Sequence, residues 1–427
     1  MDPATLSLVA LAIAIVVSCT IRLHVGFLSI ALAWIVGVYI AGMSVRDVMA
    51  GFPTSLFITL AGVTLLFAQA QANGTLDLIA RKAVRLCRGN VGVMPMMFFA
   101  LSFVLSSIGP GSIASTALMA PMGMAVAGQV GIPAFWMAIM IGHGGNAAAL
   151  SPFAPAGIIV NGIMEDIGLG GHEMANYLNN AMAHIVVVFA GYLLFGGWKL
   201  LSRRHDRALE MPTADGEGST VAGPFEKNHW ITIGVIGALL AAVVVLDVDV
   251  GLGAFACAIV LALFKAADES DAVNRMPWSV IMMVCGVTVL ISVLDATGGL
   301  ALFTRILAGI STADTVTAIM AFTTGFISIY SSTSGVVLPA FLPTVPDLAA
   351  QLGNVNPLAI ASSMNIGAHL VDVSALSTLG ALCMAAAPKH EDSQKLFNHL
   401  MVWGLSMTLV GAAICWLFFT AFGVGLG

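Results

Sequence analysis

The chain is written twice. Val25-Gly26 recurs as Val250-Gly251, Pro53-x-Ser55 as Pro277-x-Ser279, and Gly62-Val63-Thr64 as Gly286-Val287-Thr288. Gly74 is matched by Gly298, and Ser151 with Gly157 by Ser374 with Gly380. The offsets run from 225 through 224 to 223, so one register joins the halves over most of their length. In a chain that is 59% hydrophobic and 9% charged, such a duplication points to a secondary transporter built from two structural repeats.

An ordinary soluble protein carries about 25% charged residues, so this composition excludes one. Mean hydropathy is +0.98. Apolar segments of about 18 residues recur, each near the length that crosses roughly 30 Å of hydrocarbon as a helix. The net charge of −6 says little, because placement of charge matters more in a membrane protein. Six cysteines (Cys19, Cys87, Cys257, Cys285, Cys383, Cys415) are scattered without CxxC spacing and read as small hydrophobes. The first apolar segment, Thr5 to Thr20, lacks a basic flank, which argues against a signal peptide.

The expected fold is all-α and polytopic. In the first repeat, residues 1–201, apolar helices fall near 5–21, 26–43 and 55–71, followed by an amphipathic basic segment over 76–88 with Arg81, Lys82, Arg85 and Arg88. That segment suits an interface. Two short apolar stretches joined by Gly109-Pro110-Gly111, within residues 94–128, read as a re-entrant hairpin. Such backbone is tolerated at depth only where protein or water covers it. Residues 134–167 are apolar but interrupted by Gly144, Gly145, Pro152 and Pro155, hence a broken helix. A helix over 177–198 closes the half. Residues 202–228 form a polar linker. The second repeat, 229–427, has helices near 230–246, 251–264 and 278–294 and an interfacial piece near 300–309. A hairpin over about 312–348, a broken helix over 357–387 and a helix over 400–422 complete it.

Each half then has five crossings. Five is odd, so the second repeat is inverted relative to the first. Charge agrees: if Arg81–Arg88 is cytoplasmic, the same side receives Arg22, Lys199, Arg203, Arg204, Arg207, Lys227, Lys265, Arg275, Lys389 and Lys395. Of 16 basic residues only Arg46 and Arg305 fall outside. Both termini face outward.

Hairpins and breaks bring four irregular segments to one point. Half-helix N-termini there suit an anion, and half-helix C-termini and unwound carbonyls suit a cation. Polar side chains collect at these places. Ser106, Ser107, Ser112, Ser115 and Thr116 sit in the first hairpin, and Ser328, Ser331, Ser332, Thr333 and Ser334 in the second. His143, Asn146 and Ser151 sit in the first break, and Asn365, His369, Asp372, Ser374, Ser377 and Thr378 in the second. Single hydroxyls are common glue between membrane helices. Five within seven positions, Ser328 to Ser334, mark a site. Intramembrane ionisable groups default to function, which covers Asp372 and His369, although a mutual His–Asp bond that only locks the break is the competing account. His184 reads as structural. No Lys or Arg lies in a core segment, so a dicarboxylate would need dipoles, hydroxyls, amides and co-bound cations.

These features resemble the ion transporter superfamily and, within it, the divalent-anion/sodium symporters. The nearer resemblance is to malonate/dicarboxylate carriers of the MatC type. It rests on AGMSVRDVMAGFPTSLFITLAGVTLLFAQAQANGTL (Ala41–Leu76), IGPGSIASTALMAPM (Ile108–Met122) and GNAAALSPFAPAGIIV (Gly145–Val160). The resemblance implies an elevator-type carrier, with sodium and substrate held at tips that carry Ser-Asn-Thr in the family. Here the tips are Gly111-Ser112-Ile113, preceded by Ser107, and Ser332-Thr333-Ser334, preceded by Ser328; both lack the asparagine. Together with the break positions this assigns Ser112, Ser115, Thr116, Asn146, Ser151, Thr333, Ser334, Ser374, Ser377 and Thr378 to the substrate. Ser107, Gly111, Ser112, Gly145, Ser328, Ser332, Thr333, Asn365, His369 and Asp372 are assigned to cation binding or coupling.

The expected function is sodium-coupled import of a small dicarboxylate, malonate first, across the inner membrane by a homodimer. No cofactor and no nucleic acid enters. Proton symport and cation/proton antiport, with Asp372 and His369 as carriers, are the alternatives. An intramembrane enzyme is disfavoured, since no metal-ligand spacing or nucleophile–base pair stands out.

Overall fold

The computed structural model describes residues 2–20, 23–84, 90–194, 197–204, 211–212, 218–219, 223–246, 248–353, 355–388 and 391–423. The first half runs α1 (Pro3–Thr20), α2 (Val25–Trp34), α3 (Val45–Ala50), α4 (Thr54–Ala72), α5 (Thr75–Val84), α6 (Val93–Ser107), α7 (Gly111–Val130), α8 (Ala134–Ala147), α9 (Pro155–Asp166) and α10 (Glu173–Leu194). The second runs α11 (Lys227–Leu246), α12 (Val250–Leu263), α13 (Glu269–Arg275), α14 (Trp278–Ala296), α15 (Gly299–Gly309), α16 (Val316–Ser328), α17 (Leu338–Phe341), α18 (Val345–Gln351), α19 (Pro357–Leu370), α20 (Thr378–Ala385) and α21 (Ser393–Cys415). A two-residue antiparallel pair, Met211–Pro212 with Gly218–Ser219, lies in the linker.

Among the described residues, five helices are long and apolar enough to cross a membrane, or six if α16 and the segment after it count as one span. By length and composition this is a multi-pass membrane protein. α16 and Thr333–Gln351 meet at 119°. α7 is 20 residues long and passes the same test, so the return arm of the first hairpin is longer than its sequence reading. α5 ends at Val84; Arg85 and Arg88 lie outside the described residues.

Two short helices escape the sequence reading. α3 is nucleated by a capping box, Ser44 with Asp47, and α13 by Asp268, whose carboxylate accepts from Asp271 N. Both precede the duplicated Pro-x-Ser, and both satisfy donors that a bare helix start leaves open.

The duplicated glycines explain themselves by contact. A Cβ on Gly26 would collide with Met282 O, and one on Gly286 with Gly26 O, so α2 and α14 touch backbone to backbone. Gly62 and Gly251 do the same for α4 and α12. Small residues that let apolar helices approach closely are the usual basis of packing without water. Each half thus lends its second helix to the other half's long third helix. In the breaks, Gly157 lies against Ser151 O as Gly380 does against Ser374 O, so the spaced Ser and Gly of each half make one turn.

Polar loops gather at one end. Arg203 Nη2 donates to Val130 O, Val91 N to Arg203 O, and Asn73 Nδ2 to Ala266 O, while Lys82 lies over Phe225. α10 runs from this end, where Tyr192 donates to Gly92 O, to Glu173 at the other. Cysteine at Ser219, in the linker, should therefore react with an impermeant thiol reagent only from the cytoplasmic side, and cysteine at Gly170 only from outside. Labelling of both from one side would contradict this placement. Gly427, which tests the same point at the C-terminus, lies outside the described residues.

Candidate functional site

The turns between α6 and α7 and after α16 contact the interruptions between α8 and α9 and between α19 and α20. Each hairpin is fastened to the break of its own half. Ser151 Oγ donates to Ser107 O at 2.6 Å, and Thr333 Oγ1 donates to Asp372 Oδ1 at 2.7 Å. The breaks are joined by Asn146, whose Nδ2 donates to His369 O at 2.9 Å. Thr333 opens a π-helical turn, Thr333–Val337, a distortion common at functional sites.

The exposed carbonyl ends of the half-helices are covered by amides. Asn180 on α10 donates to Asn146 O and Ala147 O at the end of α8, and Asn146 covers the end of α19. Asn365 donates to Asn176 Oδ1, and Asn179 to Ser362 Oγ. Sequence reading missed this ladder. Its signal was three asparagines in five positions, 176, 179 and 180, on one face of an apolar helix. The amides leave their oxygens over: Asn146 Oδ1, Asn180 Oδ1 and Asn365 Oδ1 are buried without partners, as are Ser328 Oγ, Ser374 Oγ and Thr116 Oγ1. A buried oxygen without a donor is costly, and a cation or bound ligand would relieve it. No group of three His, Cys, Asp or Glu suited to a metal occurs among the described residues.

Several expected site hydroxyls are spent locally. Ser107 Oγ bonds to Phe103 O and Tyr177, so only its carbonyl serves the hairpin–break joint. Ser115 bonds to Ser112 O. Ser332 caps the turn through Gly335 N, and Ser377 caps α20 through Gly380 N while donating to Asp372 O and Ser374 O. Thr378 is exposed at the start of α20. Gly145 lets α8 approach Ser112 and Ser115 on α7. The His–Asp lock is not formed: His369 Nδ1 donates to Asn365 O, one turn back, and Asp372 pairs with Thr333. His143 accepts from Trp403 at Nε2 and therefore donates from Nδ1 to His184, a buried structural chain on α8, α10 and α21.

A cavity of about 250 Å³ lies beside the first hairpin tip. It is lined by Gly109 to Ala114 and Ala117, by Pro155 and Ala156 at the start of α9, by Ser334, and by Thr64, Phe67, Ala68 and Gln71 on α4. Pro277, Val280 and Arg275 complete it. Gly111 has φ +78°, and a Cβ there would sit 2.9 Å from Pro155 Cδ, so only glycine lets the starts of α7 and α9 converge. Neither start has a side-chain cap, in contrast to those at Ser332 and Ser377. Two open N-termini thus border one cavity. Sequence reading placed no Lys or Arg in a core segment, and Arg275 lines this space from the last turn of α13.

A family model described as the N-terminus of the dicarboxylate carrier protein MatC matches residues 1–149. The match ends inside the Gly145–Val160 segment on which part of the resemblance rested. No curated protein matches the chain. Two solved transporters share the fold. The YdaH transporter of Alcanivorax borkumensis is 14% identical, with TM-score 0.54 over 89% of this chain and 88% of that one. MtrF of Neisseria gonorrhoeae, titled an antimetabolite efflux pump, is 14% identical, with TM-score 0.59 over 98% and 95%. All three are carriers or pumps, and none is an enzyme.

Thr333→Val leaves the Asp372 carboxylate without its hydroxyl donor, at a cost of about 1–3 kcal/mol. Its melting midpoint in detergent should fall, whereas Thr333→Ser and Ser112→Ala should melt like the wild type. Equal midpoints for all three would mean that the Thr333–Asp372 bond is not made.

Proposed function

We propose that this chain is an elevator-type secondary carrier of the inner membrane that imports a small dicarboxylate, malonate first, together with sodium ions. In this reading it is a homodimer of the ion transporter superfamily, each chain holding two inverted repeats of five crossings. Each repeat has an interfacial helix (α5, α15), a re-entrant hairpin (α6–α7, α16–α18) and a broken helix (α8–α9, α19–α20). The dicarboxylate class comes from the N-terminal family match, and the carrier architecture from the two fold relatives.

One observation carries the reading, the separation of unlike electrostatic sites. On the first-hairpin side, two uncapped helix starts at Gly111 and Pro155 face one cavity, the arrangement that suits carboxylates. In the second half Asp372 pairs with Thr333, and Asn365, Ser328 and Ser374 keep buried oxygens without partners, groups of the kind a hard cation takes. Dianion and cations would bind as a nearly neutral cluster, which removes the cost of desolvating either alone.

Proton symport is the second reading. It is favoured by the Asp372–Thr333 bond, since a carboxylate that ties hairpin to break would couple its protonation to hairpin opening.

Linkage requires that substrate raise cation affinity by the factor by which cations raise substrate affinity. Thermal stabilisation by malonate should therefore be large in sodium and small in potassium at one ionic strength. Asp372→Asn should shrink the sodium effect. Equal stabilisation in both salts would remove the sodium version and leave the proton one.

A further inference from the structure

The half-register that matches Pro53 to Pro277 places Gly51 opposite Arg275. The same shift matches Ala68 to Ser292. In the structure these pairs behave differently. Gly51 packs onto Ser292, where a Cβ would lie 2.7 Å from the serine Cβ. Arg275 and Ala68 instead line the cavity. The second hairpin likewise sits against α14, with Gly335 close to Met283 Sδ, whereas the first hairpin meets α4 where Gly109 lies on the Phe67 ring and leaves the cavity beside that contact. One end of the pseudosymmetric pair is shut and the other open. The open end carries a cation that the shut end has no room for.

Arg275 is held lightly. Its Nε contacts Asp271 Oδ2 at 2.9 Å, one helical turn back, and the two side chains are 47% and 46% exposed. Such a pair contributes little, and the contact through Nε leaves the outer edge of the guanidinium, Nη1 and Nη2, for another partner. That edge offers two parallel donors with the spacing of a carboxylate. It is the one cationic side chain among the described residues lining this cavity. The uncapped starts of α7 and α9 lie on the same wall system, so two poles for negative charge share one space of about 250 Å³. A monoanion satisfies one pole, and a short dianion satisfies both.

We propose that Arg275 is a specificity residue of the carrier: in the state open toward the linker end, it takes the second carboxylate of the substrate while the helix starts at Gly111 and Pro155 take the first. This rests on the carrier reading above. It makes the preference for a dianion a property of the inner mouth, since Gly51 supplies no counterpart at the other end. Arg275 is therefore placed to favour binding or retention on the inner side.

The test uses the purified full chain in sodium buffer at fixed ionic strength, with malonate and its monomethyl ester as probes read by calorimetric titration. Wild type should bind malonate more tightly than the monoester. Arg275→Gln should weaken malonate by about tenfold, as for loss of one charge-assisted bidentate pair, and leave the monoester within about twofold. A second measurement needs no variant: malonate, but not the monoester, should protect Arg275 from phenylglyoxal, read by peptide mass spectrometry. Unchanged malonate affinity in Arg275→Gln, parallel loss of both ligands, or absence of protection overturns the inference alone. A wild type that binds neither malonate nor succinate overturns the carrier reading and this inference with it.

Discussion

A helix that stops inside an apolar slab leaves up to four N–H and four C=O groups without partners, and no water is there to take them. This chain stops helices among buried residues at the turns before Gly111 and Thr333 and at the interruptions between α8 and α9 and between α19 and α20. Several polar contacts there meet those groups. Ser332 and Ser377 cap two helix starts, and Asn180 and Asn146 cover two helix ends. The starts of α7 and α9 are the exceptions, and they are the ones that border a cavity. An unanswered pair of helix starts is a structural defect in a protein that binds nothing and a binding site in one that binds an anion.

The same contacts determine what can move with what. Ser151 ties the first hairpin to the first break, and Thr333 with Asp372 ties the second hairpin to the second break. Asn146 joins the two breaks, donating to the carbonyl of His369, the residue that the duplicated register matches to it. Hairpins and breaks therefore form one polar-stitched unit. α2 with α14 and α4 with α12 form a second unit, packed backbone to backbone at glycines and joined by Gln69 Nε2 donating to Ala258 O and by His24 Nε2 donating to Ser279 O. The cavity lies between the two.

Much of this was legible in the sequence because it repeats. The duplicated Gly-Val-Thr and Pro-x-Ser fixed the register, and the Gly-Pro-Gly and Ser-Pro interruptions located the first hairpin tip and the first break. What stayed hidden depends on side chains meeting from distant parts of the chain. A serine looks the same whether it caps its own helix, as Ser377 does, or lies buried without a partner, as Ser374 does. The adjacency of His369 and Asp372 suggested a bond that helix geometry sends elsewhere. Arg275 entered the sequence reading only as one of the basic residues of the cytoplasmic side, because nothing in linear sequence places the end of α13 at the cavity.

The central claim is that one site, opened alternately to each side, carries a small dicarboxylate with a cation. Uptake of labelled malonate into proteoliposomes tests it most directly, with sodium and pH gradients imposed separately and unlabelled malonate, succinate or citrate trapped inside in counterflow controls. Accumulation driven by an inward sodium gradient, with counterflow sustained by malonate, is the expected result. Sodium movement against a pH gradient with no organic anion present, and no malonate flux under any gradient, would contradict it.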